Sequence, residues 1–277
     1  MSDQAATDTP GLPLPLSGQT RLFAILGDPI AQVGSPRLFN TAFRRRGAQA
    51  VLVPFHVAPE ELPAIVAAFR AGLNFDGLVV TVPHKIAIAG LVDELGSMSR
   101  RVGAVNVIRK DGTGRLIGDN FDGVGFVYGL RKRGHSLAGK RVLIIGAGGA
   151  GCAVSHAILD EKPAALRIFD TDEDRLGGLI GGLRAFAGGI AVESGPPDPV
   201  GFDVVVNCTS IGMKTSDPYP IRIDDLKAST LVVDIILKPA VTPLLEEAAR
   251  RECAVHAGVH MLEGQVEAVC DFFGITA

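Results

Sequence analysis

Short, nearly continuous apolar runs alternate along this chain with longer stretches whose apolar positions recur at helical spacing. That is the pattern of strands buried on both faces and of the helices that cover them. The first half predicts strands at Arg21–Leu26, Val51–His56, Gly77–Val82, Ala104–Arg109 and Arg115–Gly118. Helical stretches lie between them, from Ser35 to Gly47, over Pro59–Ala71, around Ile86–Leu95 and over Ser97–Val102. Ser35 is expected as N-cap of the first helix, with Pro36 at its first position. After a helix at Gly123–Arg133 the alternation resumes. Strands are expected at Val142–Ile145, Leu166–Asp170, Val204–Asn207 and Leu231–Ile235, and helices from Cys152 to Leu159 and over Asp172–Ala185, Pro243–Arg251 and Leu262–Phe272. Gly188–Asp203 is rich in Gly and Pro and carries one poor strand at best, and residues 1–20 read as a loose tail. The fold class is therefore α/β, in two α/β units, the first ending near Asn120.

One junction in the second unit has specific chemistry. The run Val142–Ile145 passes at once into Gly146-Ala147-Gly148-Gly149-Ala150-Gly151 and then into a helix. Gly146, Gly148 and Gly151 fit G-x-G-x-x-G in the strand–turn–helix context a dinucleotide fingerprint requires. Gly146 permits the tight turn, Gly148 lets the backbone approach a pyrophosphate, and Gly151 lets the helix lie close on the strand. The free N–H groups of that helix end then face the anion, with Gly149 and Ala150 in its first turn. About twenty residues on, the next strand ends at Asp170, placed to accept from an adenosine ribose. Several carboxylates surround it, and the first cation, Arg175, is five residues away in sequence. Like-charge repulsion then favours NAD over NADP. In the competing reading Asp170 is only a turn residue and Asp172 the cap of the following helix.

Composition narrows the classes. The chain has 277 residues, 47% of them hydrophobic, and a net charge of −3, so it can build two ordinary cores and carries no basic footprint for nucleic acid. Its basic runs, Arg44-Arg45-Arg46 and Arg131-Lys132-Arg133, read as solvated helix ends. The four cysteines form no C-x-x-C pair and read as buried reduced thiols. With no signal peptide and no membrane-spanning run in view, a cytoplasmic protein is expected.

Two polar residues of the first unit stand where a ligand crevice belongs. Lys85 follows the strand that ends at Val82, and Asp122 sits at the junction of the two units. A lysine can transfer a proton to or from a hydroxyl or carbonyl while an aspartate orients that group. Taken singly, Lys85 also reads as a solvated surface lysine and Asp122 as a helix cap.

In order, Gly27-Asp28-Pro29-Ile30 with Ser35-Pro36 and Asn40, Val80-Thr81-Val82-Pro83-His84-Lys85, Gly103-Ala104-Val105-Asn106 and Gly118-Asp119-Asn120-Phe121-Asp122-Gly123 resemble the shikimate/quinate dehydrogenase family. The glycine turn, Asn207-Cys208-Thr209-Ser210-Ile211-Gly212-Met213, Thr242-Pro243, Gly258, Met261-Leu262 and Gln265 extend the resemblance from Phe23 to Phe273. It implies a substrate domain over residues 1–121 to which 258–277 returns, and a Rossmann-type nucleotide domain over 122–257. It further implies nicotinamide-dependent, reversible oxidation of a ring hydroxyl in a cyclic hydroxy acid, with no metal. Lys85 and Asp122 would then be the catalytic pair. Asn106 and Gln265 would bind substrate hydroxyls, and Ser35 and Thr81 the carboxylate end. Thr209, Met213, Leu237 and Gly258 would join the glycine turn and Asp170 on the cofactor.

Three positions depart from that pattern: Val33 replaces a serine, Val79 an asparagine and Leu237 a tyrosine. Each lost hydrogen bond is worth on the order of 1–3 kcal/mol. Three readings follow: an NAD-dependent shikimate or quinate dehydrogenase, the same hydride chemistry on a less polar substrate, or a cofactor-binding regulator with little turnover. The expected partner is a small cyclic hydroxy acid, with neither nucleic acid nor membrane, in a monomer or a homodimer.

Overall fold

The computed structural model describes residues 16–276, so most of the expected tail lies outside the described residues. In chain order the elements are β1 (Arg21–Gly27), α1 (Ser35–Arg45), β2 (Ala50–His56), α2 (Leu62–Ala71), β3 (Phe75–Val80), β4 (Glu94–Leu95), α3 (Ser97–Val102), β5 (Val107–Lys110) and β6 (Leu116–Asp119). Then come α4 (Asp122–Lys132), β7 (Arg141–Ile145), α5 (Gly149–Asp160), β8 (Ala165–Phe169), α6 (Glu173–Arg184), β9 (Ala191–Ser194), β10 (Val204–Asn207), β11 (Leu231–Asp234), α7 (Pro243–Arg250), β12 (Ala254–Ala257) and α8 (Val259–Phe272).

The strands form two six-stranded sheets. The first, β2-β1-β3-β5-β6-β4, is mixed, with β5 antiparallel to both β3 and β6. The second, β12-β11-β10-β7-β8-β9, is parallel throughout. Its order reverses between β7 and β10, and a crevice opens at such a switch point beyond the carboxyl ends of the strands.

Alternation along each strand decides which helices cover which face. On β1, Phe23 and Ile25 join Phe39 and Phe43 of α1 and Val266, Val269 and Cys270 of α8. Ala24 and Leu26 point the other way, to Leu62 and Val66 of α2. In the second sheet, Val142, Ile144, Val204 and Val206 pack with α4, α5 and α6, whereas Leu143, Ile145 and Val205 meet Leu244, Leu245 and Ala248 of α7.

Helices α4 and α8 link the two sheets, and glycines let them cross closely. A Cβ on Gly264 would lie 2.4 Å from the Gly125 carbonyl oxygen, and one on Gly129 would lie 2.6 Å from that of His260. Backbone therefore rests on backbone. Arg46, read from sequence as part of a solvated helix end, instead clamps α1 to α8. Its side chain is only 8% exposed and donates to Glu267 and Asp271 at 2.6 Å. Arg131 and Arg133 likewise pair with Glu161 and Glu263.

Other departures from the sequence reading are local. Ser35 is the first residue of α1 rather than its cap, because Gly34 takes the capping position without any side-chain bond. The stretch around Ile86–Leu95 is a 3₁₀ turn at Ala87–Leu91 followed by the short β4. Strand β12 was not anticipated, and α8 begins three residues earlier than expected. All four cysteines are free, and burial pushes the thiols of Cys152 and Cys270 up to about 11. No helix among the described residues is long and apolar enough to cross a membrane.

The crossing gives a paired test. Gly264→Ala forces two backbones apart and is expected to cost about 1–3 kcal/mol in urea denaturation. Gly181→Ala on α6, where a Cβ meets open space, should instead stabilise by about 0.5–1 kcal/mol through helix propensity.

Candidate active site

Lys85 lies in the turn after β3, and its backbone is held before its side chain is. The buried His84 ring is 2.8 Å from the Val57 carbonyl, and the Lys85 carbonyl accepts from Val105 N–H at 2.8 Å. Asp122 is the first residue of α4. Phe121 occupies the capping position without a side-chain bond, so the carboxylate is not spent as a cap. Lys85 Nζ donates to Asp122 Oδ2 at 2.5 Å. The lysine side chain is 22% exposed and the aspartate 7%, which makes this a pair at the floor of a cleft rather than a surface ion pair.

The other carboxylate oxygen is held from two sides. Asn106 Nδ2 and Gln265 Nε2 each donate to Asp122 Oδ1 at 2.8 Å. Asn106 is fixed in that orientation because its Oδ1 accepts from Phe121 N–H. Both amides, expected to face substrate hydroxyls, thus direct a donor onto Asp122. The Asp122 carboxylate accepts from the β3 turn, from the residue before β5 and from α8.

A cavity of about 260 Å³ opens over this group. Ser35, Thr81, Asn106 and Gln265 line it with Lys85 and Asp122, and so do Ala150 from the glycine-turn helix and Gly258 before α8. Seating Thr81 requires Gly27, where a Cβ would lie 2.6 Å from Thr81 Cγ2. Val33, Val79 and Leu237 line the same cavity, so all three departures from the resembled pattern meet in one place.

The glycine turn carries a second cavity of about 380 Å³, lined by Gly146, Gly148, Asp170, Thr171, Arg175, Thr209 and Ser210 among others. Gly146 has φ of 103°, a backbone conformation that favours glycine. At Gly151 a Cβ would lie 2.0 Å from the Gly146 carbonyl oxygen, whereas Gly148 and Gly149 face open space. The turn is therefore tight inside and open outside, and the N-terminus of the twelve-residue α5 points into it. A dinucleotide pyrophosphate fits this cradle.

Asp170 lines this cavity and is also held by backbone N–H groups. Its Oδ2 accepts from Ala147 N–H at 2.6 Å and its Oδ1 from Asp172 N–H at 2.9 Å, so it braces the glycine turn. Asp172 caps α6 by accepting from Arg175 N–H, and that bond holds its carboxyl below the usual range. The first helical turn folds the Arg175 guanidinium back to 3.7 Å from Asp170 and 2.8 Å from Asp172. The cation that is five residues distant in sequence thus stands beside these acids in space.

Met213 is 55% exposed and borders neither of these two cavities, while Leu237 borders the cavity over Lys85. Sequence reasoning overlooked the pairing of Asn207 with Asp234, which sit in register at the ends of β10 and β11. A polar residue closing each of two adjacent apolar strands was the available signal.

Comparison with known proteins accords with this arrangement. Residues 25–108 match a family model described as the shikimate dehydrogenase substrate binding domain. A curated relative from Rubrobacter xylanophilus, named shikimate dehydrogenase (NADP(+)), is 37% identical over 94% of this chain and 93% of its own length. Among solved structures, shikimate dehydrogenase from Aquifex aeolicus superposes with a TM-score of 0.84 at 30% identity, covering 93% of this chain and 94% of that one. The 5-ketofructose reductase of Gluconobacter sp. strain CHM43 gives the same TM-score of 0.84 at 27% identity, with the same coverage.

These relatives correct the expected cofactor. Further curated relatives also bear the name shikimate dehydrogenase (NADP(+)), which points to NADP rather than NAD. The repulsion argument failed because it counted carboxylates along the sequence. Asp170 accepts from two backbone N–H groups, and Arg175 offsets the charge of Asp170 and Asp172. With the fold, the substrate-domain match and the long-range identity in agreement, the chain belongs to the shikimate dehydrogenase family.

Proposed function

We propose that this protein catalyses the NADP(H)-dependent, reversible oxidation of a ring hydroxyl in a shikimate- or quinate-like cyclic hydroxy acid. The observation that carries the reading is the Lys85–Asp122 pair, 2.5 Å apart under a cavity that Ala150 of the glycine-turn helix also lines. The domain division proposed with it assigns residues 1–121 and 258–277 to the substrate and 122–257 to the nucleotide.

When bound, the cofactor supplies or accepts the hydride at the reacting carbon. The chain's own residues then manage one proton and the alignment. In the reductive direction the Lys85 ammonium donates a proton to the ketone oxygen as it becomes a hydroxyl. In the oxidative direction the neutral amine takes that proton back. Asp122 accepts from the same hydroxyl and keeps Lys85 in place, while Asn106 and Gln265 stop the carboxylate from turning. Ser35 and Thr81 offer hydroxyl donors to the acid end. Arg175 and Thr171 border the nucleotide cavity where a phosphate on the adenosine ribose would add charge.

A second reading rests on Val33, Val79 and Leu237, which give the cavity an aliphatic wall. A less polar substrate suits that wall. A structural neighbour named for a keto sugar, 5-ketofructose, uses the same fold.

Steady-state assays separate these readings. Lys85→Ala and Asp122→Asn should each lower kcat by about 10²–10⁴-fold while calorimetric NADP⁺ binding is retained. Full turnover in both variants would remove the pair from the mechanism. For the substrate, Val33→Ser with Leu237→Tyr should raise kcat/KM for shikimate about tenfold or more if the aliphatic wall selects against the acid. An unchanged value would dismiss the second reading.

A further inference from the structure

Beyond these two cavities, the most heavily determined polar group is buried behind the loops that separate them. Asp234, Asn207 and Thr242 are each fully buried. Asp234 Oδ1 accepts from Ile236 N–H at 3.0 Å, and its Oδ2 accepts from Thr242 Oγ1 at 2.8 Å and from Asn207 Nδ2 at 3.2 Å. Asn207 Nδ2 also donates to the Ile211 carbonyl. Its Oδ1 accepts both the N–H and the hydroxyl of Thr209, and Thr209 Oγ1 accepts from Ile211 N–H. Two side chains at the ends of adjacent strands thereby fix the loop after β10 and the loop after β11.

We propose that Asn207, Asp234 and Thr242 are positioning residues that set the spacing between the nucleotide cavity and the substrate cavity; the proposal rests on the NADP(H) reading above. Thr209, held by Asn207, lines the nucleotide cavity, and Ile235 and Leu237, next to Asp234, line the substrate cavity. Gly258 rests on the same loop, since a Cβ there would lie 2.4 Å from the Ile235 carbonyl oxygen and 2.5 Å from that of Ile236. The Asp234–Ile236 bond therefore also sets where α8 begins, and α8 carries Gln265 to Asp122.

Thr242 Oγ1 also accepts from Leu245 N–H and so caps α7, but stability does not account for the carboxylate. Asp234 forms no ion pair among the described residues, and burial pushes its carboxyl up. A buried carboxylate held only by neutral donors is costly, and apolar residues of similar size would pack the strand ends at less cost. Such departures from good packing belong to functional sites.

The test is calorimetric titration of the purified protein with NADP⁺, alongside thermal melting. Thr242→Val and Asp234→Asn are expected to weaken NADP⁺ binding about tenfold or more, and Thr242→Ser, which keeps the hydroxyl, should restore it. Thr230→Val is the control for plain destabilisation. Thr230 is buried at the other end of β11 and donates to the Phe202 carbonyl, so its loss should lower the melting temperature and leave NADP⁺ binding intact. Binding by Thr242→Val and Asp234→Asn within about twofold of the parent, or equal weakening by Thr230→Val, would overturn the positioning role. Absence of NADP⁺ binding by the parent protein would overturn the cofactor reading and this proposal together.

Discussion

The candidate site depends on one carboxylate that cannot turn. Asp122 receives Lys85 on one oxygen and Asn106 and Gln265 on the other, and these donors come from parts of the chain that are remote in sequence. A buried anion is tolerable only when it is satisfied in this way. The constraint also runs outward: Gln265 reaches Asp122 because α8 lies directly on α4, and it can do so because Gly125, Gly129 and Gly264 leave no side chain between the two backbones. The polar geometry of the floor is thus set by the absence of side chains beneath it.

The nucleotide side is built on the opposite principle. There the backbone is shaped by side chains that accept its N–H groups. Asp170 draws the N–H groups of Ala147 and Asp172 inward, and Asn207 and Asp234 do the same for the next two strand ends. Four loops at the carboxyl edge of one parallel sheet are braced by carboxylate or amide groups. The cavity they frame meets open glycine backbone, the Arg175 cation and the hydroxyls of Thr171, Thr209 and Ser210.

Much of this was legible in the sequence, because parallel strands buried on both faces are continuous apolar runs and glycine turns have a fixed spacing. Val142–Gly151 is a strand, a turn and a helix for the reasons its residues supply. Several failures arise because local pattern carries no information about partners brought in by the fold. The argument over Asp170 weighed its charge, but two backbone N–H groups had already claimed it. Arg46 looked solvated because its partner Glu267 is 221 residues away. Strand β12 is four residues long and half-exposed, too short and too mixed to stand out.

The return of α8 has a consequence for the order in which the protein becomes competent as it is made. Lys85, Asn106 and Asp122 all lie in the first half of the chain, and their sheet can pair as soon as β6 has emerged. Gln265 stands in the final helix, and Arg46 waits for partners in that same helix. A nascent chain therefore presents Asp122 with Asn106 as the one donor to its Oδ1, and α1 without its clamp, until α8 has been made. Helix α8 joins both cores, so a chain cut short before it lacks the Gln265 donor at the site as well as the clamp on α1.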